Sequence, residues 1–342
     1  MRFIVPHLFP PARLRGAALA GVRLPALETL SARGRWQKNA ASSLEAALAE
    51  AFGVDAPGST PLAPYLLKAE GMEPGDAWWL CVDPAHLQVA RDGLVPMMGA
   101  AVAMTRAEAA ALLASLAEHF GDVLPLVATP GDRWYWSRTE PFGLDMPPPS
   151  MAAGRALPPP AAGKAPEGQT LLNEIQMLLH DHPVNLAREA AGRPAINSLW
   201  LWGEGRWSLP PMAAAKIYAD HALARQLAQG LGQACQPLPR RWDAALPQSA
   251  VVVLDGLFEA GQYGDIWGWR AALQALERDW LAPLMKAGRR CTLHDPLNGA
   301  LLHWRPLMAW KFWHRTAPLS APGPLAEVGA PTPAQDEFGN RF

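Results

Sequence analysis

Apolar and polar positions along this chain switch repeatedly between a helical and an extended period, and those switches outline its elements. Phe3–Val5 is a short apolar run that reads as a buried strand. Leu24–Ala32 and Leu44–Phe52 carry helical spacing; Ser42 or Ser43 caps the second helix and Gly53 ends it. Trp78–Val82, Gln88–Ala90 and Leu94–Met97 read as strands, with a turn at Arg91-Asp92-Gly93. Thr105-Arg-Ala-Glu108 predicts a capping box that opens a helix reaching Phe120. Arg133–Arg138 is a strand, and Thr170 caps a helix whose stripe includes Leu171, Ile175 and Leu179. Pro183 stops or kinks that helix. Ile196–Trp202 predicts a strand, Ala214–Leu231 a helix closed by Gly232, and Val251–Leu254 a strand covered on both faces. Asp265 caps a helix with Trp269, Leu273, Leu276 and Trp280 on one stripe. Asn298-Gly299 is a hairpin signal joining Cys291–His294 to Leu301–Trp304.

Strands and helices alternate at both ends around a more β-rich section, which predicts an α/β core interrupted by an inserted α+β domain. The expected divisions are residues 1–75 for the first part of the core, 76–140 for the insertion, and 141–170 for a proline-rich linker. Residues 171–316 complete the insertion and the core, and 317–342 read as a disordered tail. Composition narrows the function classes. Of 342 residues half are hydrophobic and 18% are charged, with a formal net charge of −1. The adjacent basic pairs are Arg240–Arg241 and Arg289–Arg290, with no basic stripe, so nucleic acid is not the expected partner. No apolar stretch approaches the roughly 18–20 residues of a membrane span. The opening apolar run, cut by Pro6, is too brief for a secretion signal. Cys81, Cys235 and Cys291 are scattered and form no metal-binding pair. A cytoplasmic protein is the expectation.

The most distinctive stretch is His182-Pro-Val-Asn185, Arg188, Pro194-Ala-Ile-Asn-Ser-Leu-Trp-Leu-Trp-Gly-Glu-Gly-Arg206 and Ser208-Leu-Pro-Pro211. It resembles a segment of the archaeal-type cofactor-independent phosphoglycerate mutases. Leu24–Gly34, Ser59–Leu62 with Gly71–Ala77, Thr105–Phe120 and Glu259-Ala-Gly-Gln-Tyr-Gly-Asp265 resemble further segments in the same order. The resemblance covers most of residues 1–305, and the chain looks like the shorter bacterial relatives labelled RpfE-type regulatory proteins. It implies an alkaline-phosphatase-like three-layer α/β core with an inserted α+β cap domain. The implied chemistry is phosphoryl transfer between the hydroxyls of glycerate, through a phosphoserine and two divalent metals, Mn or Mg.

Matched position by position, the chain departs from that machinery. The family's first strand ends in Asp-Gly; here Ile4-Val-Pro-His-Leu-Phe9 offers only His7. Ser42 and Ser43 stand near the nucleophile's place, where the bland reading is a helix N-cap. Phe258 and Gln262 occupy the positions at which the family loop supplies an Asp and a His to metal. His294, Asp295 and His303 offer a single substitute metal site, if a two-residue turn sets His294 opposite His303. The cap lacks an Arg on Trp78–Cys81, reads Tyr135-Trp136 for Tyr-Arg, and has Pro147-Pro-Pro-Ser150 in place of a His-Asp. His182, Asn185, Arg188, Asn197, Glu204 and Arg206 remain, either lining a polar ligand pocket or holding loops together. The resulting expectation is a non-catalytic regulatory or binding protein, without a cofactor, for a small phosphorylated or carboxylate ligand. Its rivals are an active metal-dependent mutase or phosphatase and a protein-interaction scaffold.

Overall fold

The computed structural model describes residues 1–9, 18–38, 42–54, 60–91, 93–129, 133–143, 146–157, 166–211, 215–310, 313–314 and 316. The predicted tail from Ala317, the prolines at 158–160 and Ser59 lie outside the described residues. The fold is mixed α/β. In chain order its strands are β1 (Arg2–Ile4), β2 (Arg35–Lys38), β3 (Trp78–Ala90), β4 (Gly93–Met98), β5 (Leu126–Ala128), β6 (Trp134–Arg138), β7 (Ser198–Arg206), β8 (Ile217–Tyr218), β9 (Cys235–Gln236), β10 (Val251–Val253), β11 (Cys291–Asp295) and β12 (Ala300–Trp304). The chain forms two compact units. One comprises Met1–Ala41, Pro239–Ser249 and Leu254–Phe342; the other comprises Ser42–Leu238 and Ala250–Val253.

In the first unit β1 pairs in parallel with β11, β12 runs antiparallel to β11, and β2 runs antiparallel to β12. Phe3, Ile4 and Leu293 are fully buried along the parallel pair. The helix Pro25–Arg33 begins at a proline, which needs no hydrogen-bond partner there. Its next two backbone N–H groups donate to the Glu277 carboxylate, Ala26 at 2.6 Å and Leu27 at 3.0 Å. Glu277 lies on a π-helical turn between the helices Ile266–Leu276 and Ala282–Lys286, so the irregular turn delivers a cap to a neighbouring helix. Asp265 caps the first of these as predicted, accepting from Gly268 N at 3.0 Å.

In the second unit β3 is long enough to serve three partners. β7 pairs along one edge, while β6 and β4 follow one another along the other, all antiparallel; β5 extends β6. Alternation puts Leu80 and Val82, Trp134 and Trp136, and Leu199 and Leu201 on the buried face. Two helices cover it with residues at helical spacing, Leu112, Leu116 and Phe120 from Arg106–Phe120, and Leu171, Ile175 and Leu179 from Pro166–His180. The Thr105–Glu108 capping box forms in full. β10, buried throughout, runs parallel to β8, and β8 runs parallel to β9.

Three expectations need correction, and that for Pro183 is extended. Residues 217–218 are a strand, and the helix starts only at Ala222, because pairing with Val251–Val252 on one side and Cys235–Gln236 on the other overrides local helical spacing. The two strands expected within 78–90 are one, with Pro84 accommodated in it. Pro183 ends one helix and also opens another, Pro183–Ala190. The hairpin does not turn in two residues: Pro296–Asn298 form a short helical turn closed by Gly299 at φ 61°, so Asp295 faces Ala300. That longer turn sets Leu301 opposite His294 and Thr292 opposite His303, so the two histidines are not a cross-strand pair.

Candidate functional site

In the second unit Ser43 is buried and its hydroxyl accepts from Ala46 N at 2.9 Å, the geometry of a helix N-cap. Two residues on, Glu45 is buried and accepts from Ser150 N at 2.9 Å and from the Ser150 hydroxyl. Leu44 N donates to Ser150 Oγ at 3.0 Å. The Pro147–Ser150 segment thus ties itself to the start of the helix Leu44–Ala51. Burial pushes the Glu45 carboxyl upward, and the hydrogen bonds from Ser150 and Ser43 pull against it. The Glu45–Ser150 pair carries no sequence signal of its own, since its members are 105 residues apart.

The six pocket candidates are also in this unit. His182 caps the helix Pro183–Ala190 through Nδ1, which accepts from Val184 N at 3.2 Å. That bond makes Nε2 the protonated nitrogen, 3.0 Å from Ser115 Oγ. Asn185, 1% exposed, donates to Leu179 O and Ile196 O and accepts from Ile196 N. Arg188, wholly buried, spans Pro194 O at 2.8 Å, Glu108 Oε2 at 3.0 Å and Val102 O. Burial opposes the charge on Glu108. The Thr105 amide, the Arg193 guanidinium, the Thr105 hydroxyl and the Arg188 charge overcome it and hold the carboxyl at about 2. Asn197 bonds both the N–H and the C=O of Leu87, at 2.7 and 3.1 Å, and Glu204 accepts from Phe142 N and Gly143 N. Arg206 is half-exposed, 3.3 Å from Asp76. Five of the six therefore direct their polar atoms at backbone or at neighbouring side chains.

The positions matching the family's metal ligands fall in the first unit. His7 Nε2 lies 3.1 Å from Gln262 Oε1, and its ring stacks on Phe258 with centroids 6.0 Å apart. A Cβ at Gly261 would lie 2.5 Å from His7 Cγ, so only glycine admits this packing. Trp269 Nε1 donates to His7 O at 2.8 Å and fixes the backbone, which is held at φ 58°. Asp295 has no exposed surface; Oδ2 accepts from Phe9 N at 3.1 Å and Asn298 Nδ2 at 2.7 Å. Burial raises its carboxyl to about 6, against the bonds from Asn298 and Phe9. His294 Nδ1 sits 3.0 Å from the Arg2 guanidinium, and His303 bridges Thr292 Oγ1 at 3.0 Å and Gln37 Oε1 at 3.3 Å.

A pair of divalent cations requires several anionic oxygens and imidazoles turned toward one point. These residues do not fit that requirement. Phe258 has no donor atom, Gln262 is neutral and bonded to His7, and a guanidinium adjoins His294. Among the described residues no three His, Cys, Asp or Glu side chains gather in a metal-holding group. No helix among them is long and apolar enough to cross a membrane.

The structure therefore defines an α/β protein of two compact units, with Ser43 in one and the residues matching the metal ligands in the other. No family model and no curated protein matches the chain. Among solved structures it is similar to the PH0037 protein from Pyrococcus horikoshii, at 14% identity over 89% of this chain and 86% of that one, with a TM-score of 0.44. It is also similar to a cofactor-independent phosphoglycerate mutase from Thermoplasma acidophilum, at 15% identity over 89% of each chain, with a TM-score of 0.36. Likeness this distant carries no argument about activity, which rests on the residues themselves.

Proposed function

We propose that this chain is a non-catalytic phosphoglycerate-mutase-like protein with a regulatory or small-ligand-binding role. The segments at 24–34, 182–211 and 259–265 support the kinship. The observation that carries the loss of catalysis is the His7–Phe258–Gln262 cluster. Where the resemblance expects charged metal ligands, an aromatic ring and a neutral amide pack around one histidine. The N-cap bond of Ser43 gives that hydroxyl a sufficient structural role. A cytoplasmic setting is supported by three free cysteines, with burial pushing the Cys291 thiol up to about 12.

The rival reading is an active mutase or phosphatase that rebuilds a Mn or Mg site from His294, Asp295 and His303. Metal content and turnover separate the two. After incubation with manganese and gel filtration, the protein is expected to retain well under one metal per chain. It is expected to show no interconversion of 3- and 2-phosphoglycerate in excess manganese. Turnover that Ser43→Ala abolishes would establish the rival.

A further inference from the structure

At the other end of the first unit's sheet lies an open cleft of about 670 Å³. β1 and β11 run away from it: Thr292 at the start of β11 lines it, whereas His294 and Asp295 lie at the far end of that strand. The sheet register builds its floor. Arg35 pairs with His303, and His303 with Thr292, so the three stand in one row on one face. His303 is held by its bonds to Thr292 and Gln37, both of which also line the cleft. Arg290 and Arg305 complete the rim, and Gln248 Nε2 anchors the first by donating to its backbone carbonyl at 2.7 Å.

Three features set this cleft apart. Arg35, Arg290 and Arg305 have no ion-pair or hydrogen-bond partner for their guanidinium groups among the described residues. Among the described residues no Asp or Glu lines the cleft to neutralise them. Met308, partly exposed, adds an apolar side chain to the rim. A guanidinium presents paired N–H donors that match phosphate oxygens, and three of them balance more charge than one phosphate carries. The volume falls within the range of about 300–1,000 Å³ common to small-molecule sites.

We propose that this cleft binds an organic diphosphate of nucleoside diphosphate size, with its phosphates on Arg35, Arg290 and Arg305 and its apolar part against Met308. The proposal does not rest on a catalytic reading: of the residues the rival reading uses, only His303 lines the cleft, and Ser43, His294 and Asp295 do not.

Titration calorimetry of the full chain with ADP at low salt tests it. Binding is expected, with affinity falling as salt rises and at least about tenfold in the Arg290→Glu/Arg305→Glu variant. Adenosine is expected not to bind, and Arg225→Ala, at an exposed ion pair in the other unit, to leave ADP affinity unchanged. Both reversed arginines are exposed and unpaired, so the unliganded variant is expected to melt like the parent. If it does not, Arg35→Gln replaces it in the same titration. The proposal fails if ADP gives no binding up to millimolar concentration, if adenosine binds equally well, or if charge removal leaves affinity intact.

Discussion

Arg188 and Arg290 are the same side chain in opposite circumstances. Arg188 is wholly buried, carries a carboxylate and two carbonyls on its guanidinium, and lies in the stretch richest in family-like residues. Arg290 is exposed on the rim of a cleft that has no acid among the described residues lining it, outside any motif. A buried charge must be bonded to be tolerated, and each of the three guanidinium nitrogens of Arg188 is engaged within the protein. An unpaired exposed arginine retains all of its donors. Motif-like residues in this molecule hold loops together, and residues with no motif are left available for binding.

The widest separation between the two should come from Arg188→Met. Removing one partner of a buried ion pair typically costs about 3–5 kcal/mol, and here the Val102 and Pro194 carbonyls lose a donor as well. Urea unfolding checks this; a loss below about 1 kcal/mol, ordinary for a surface change, would return Arg188 to the ligand candidates. The pair also has a pH signature. Because Glu108 is held at about 2 when folded, its contribution is fully present above the ordinary value of 4.5 and is lost as pH falls toward 2. The gap between parent and Arg188→Met should therefore narrow in acid.

Glu45 sharpens the contrast from the acidic side, since it is buried with hydroxyl and amide partners and no cation among them. Its carboxyl is raised by burial, so the sign reverses. Its contribution is fully present below the unfolded value of 4.5 and is lost as pH rises through the folded one. Glu45→Gln removes the charge while keeping an acceptor for Ser150. Relative to the parent, the variant should gain stability as pH rises above the unfolded value of 4.5, read as melting temperature against pH. Parallel curves would mean that the carboxylate is not desolvated.

Much of this architecture is local and was therefore legible. The Thr105–Glu108 box, the Ser43 and Asp265 caps and the buried run at 251–253 each depend on neighbours within a few residues. One failure has its cause in long-range pairing. Residues 217–218 become a strand only because Val251–Val252 and Cys235–Gln236 lie beside them. Pro183 reads as a stop from one side and as a first helical residue from the other, and only the His182 cap settles which. The site was legible as a set of substitutions, since Phe258 and Gln262 stand out against the family pattern. The arginine cleft was not, because Arg35, Arg290 and Arg305 are brought together by strand register rather than by spacing.

The smallest effect belongs to Arg206, the last of the six candidates in the family-like stretch and the only one of them that resembles Arg290 in exposure. Its side chain is 52% exposed and its partner Asp76 98% exposed, with 3.3 Å between them. Water screens such a pair on almost every side, and ordering two long side chains offsets most of the attraction. Arg206→Ala should therefore change unfolding free energy by less than about 0.5 kcal/mol, and by less still in high salt. The same variant decides whether the stretch retains any ligand role. In a thermal-shift titration with 3-phosphoglycerate, a ligand held by Arg206 would raise the parent's melting temperature and not the variant's. Identical titrations would leave Arg206 as a solvated end to β7, and the unpaired arginines of the first unit as the anion-binding ones. A shift lost on mutation would place a binding residue inside the motif and break the contrast between bonded motif and free rim.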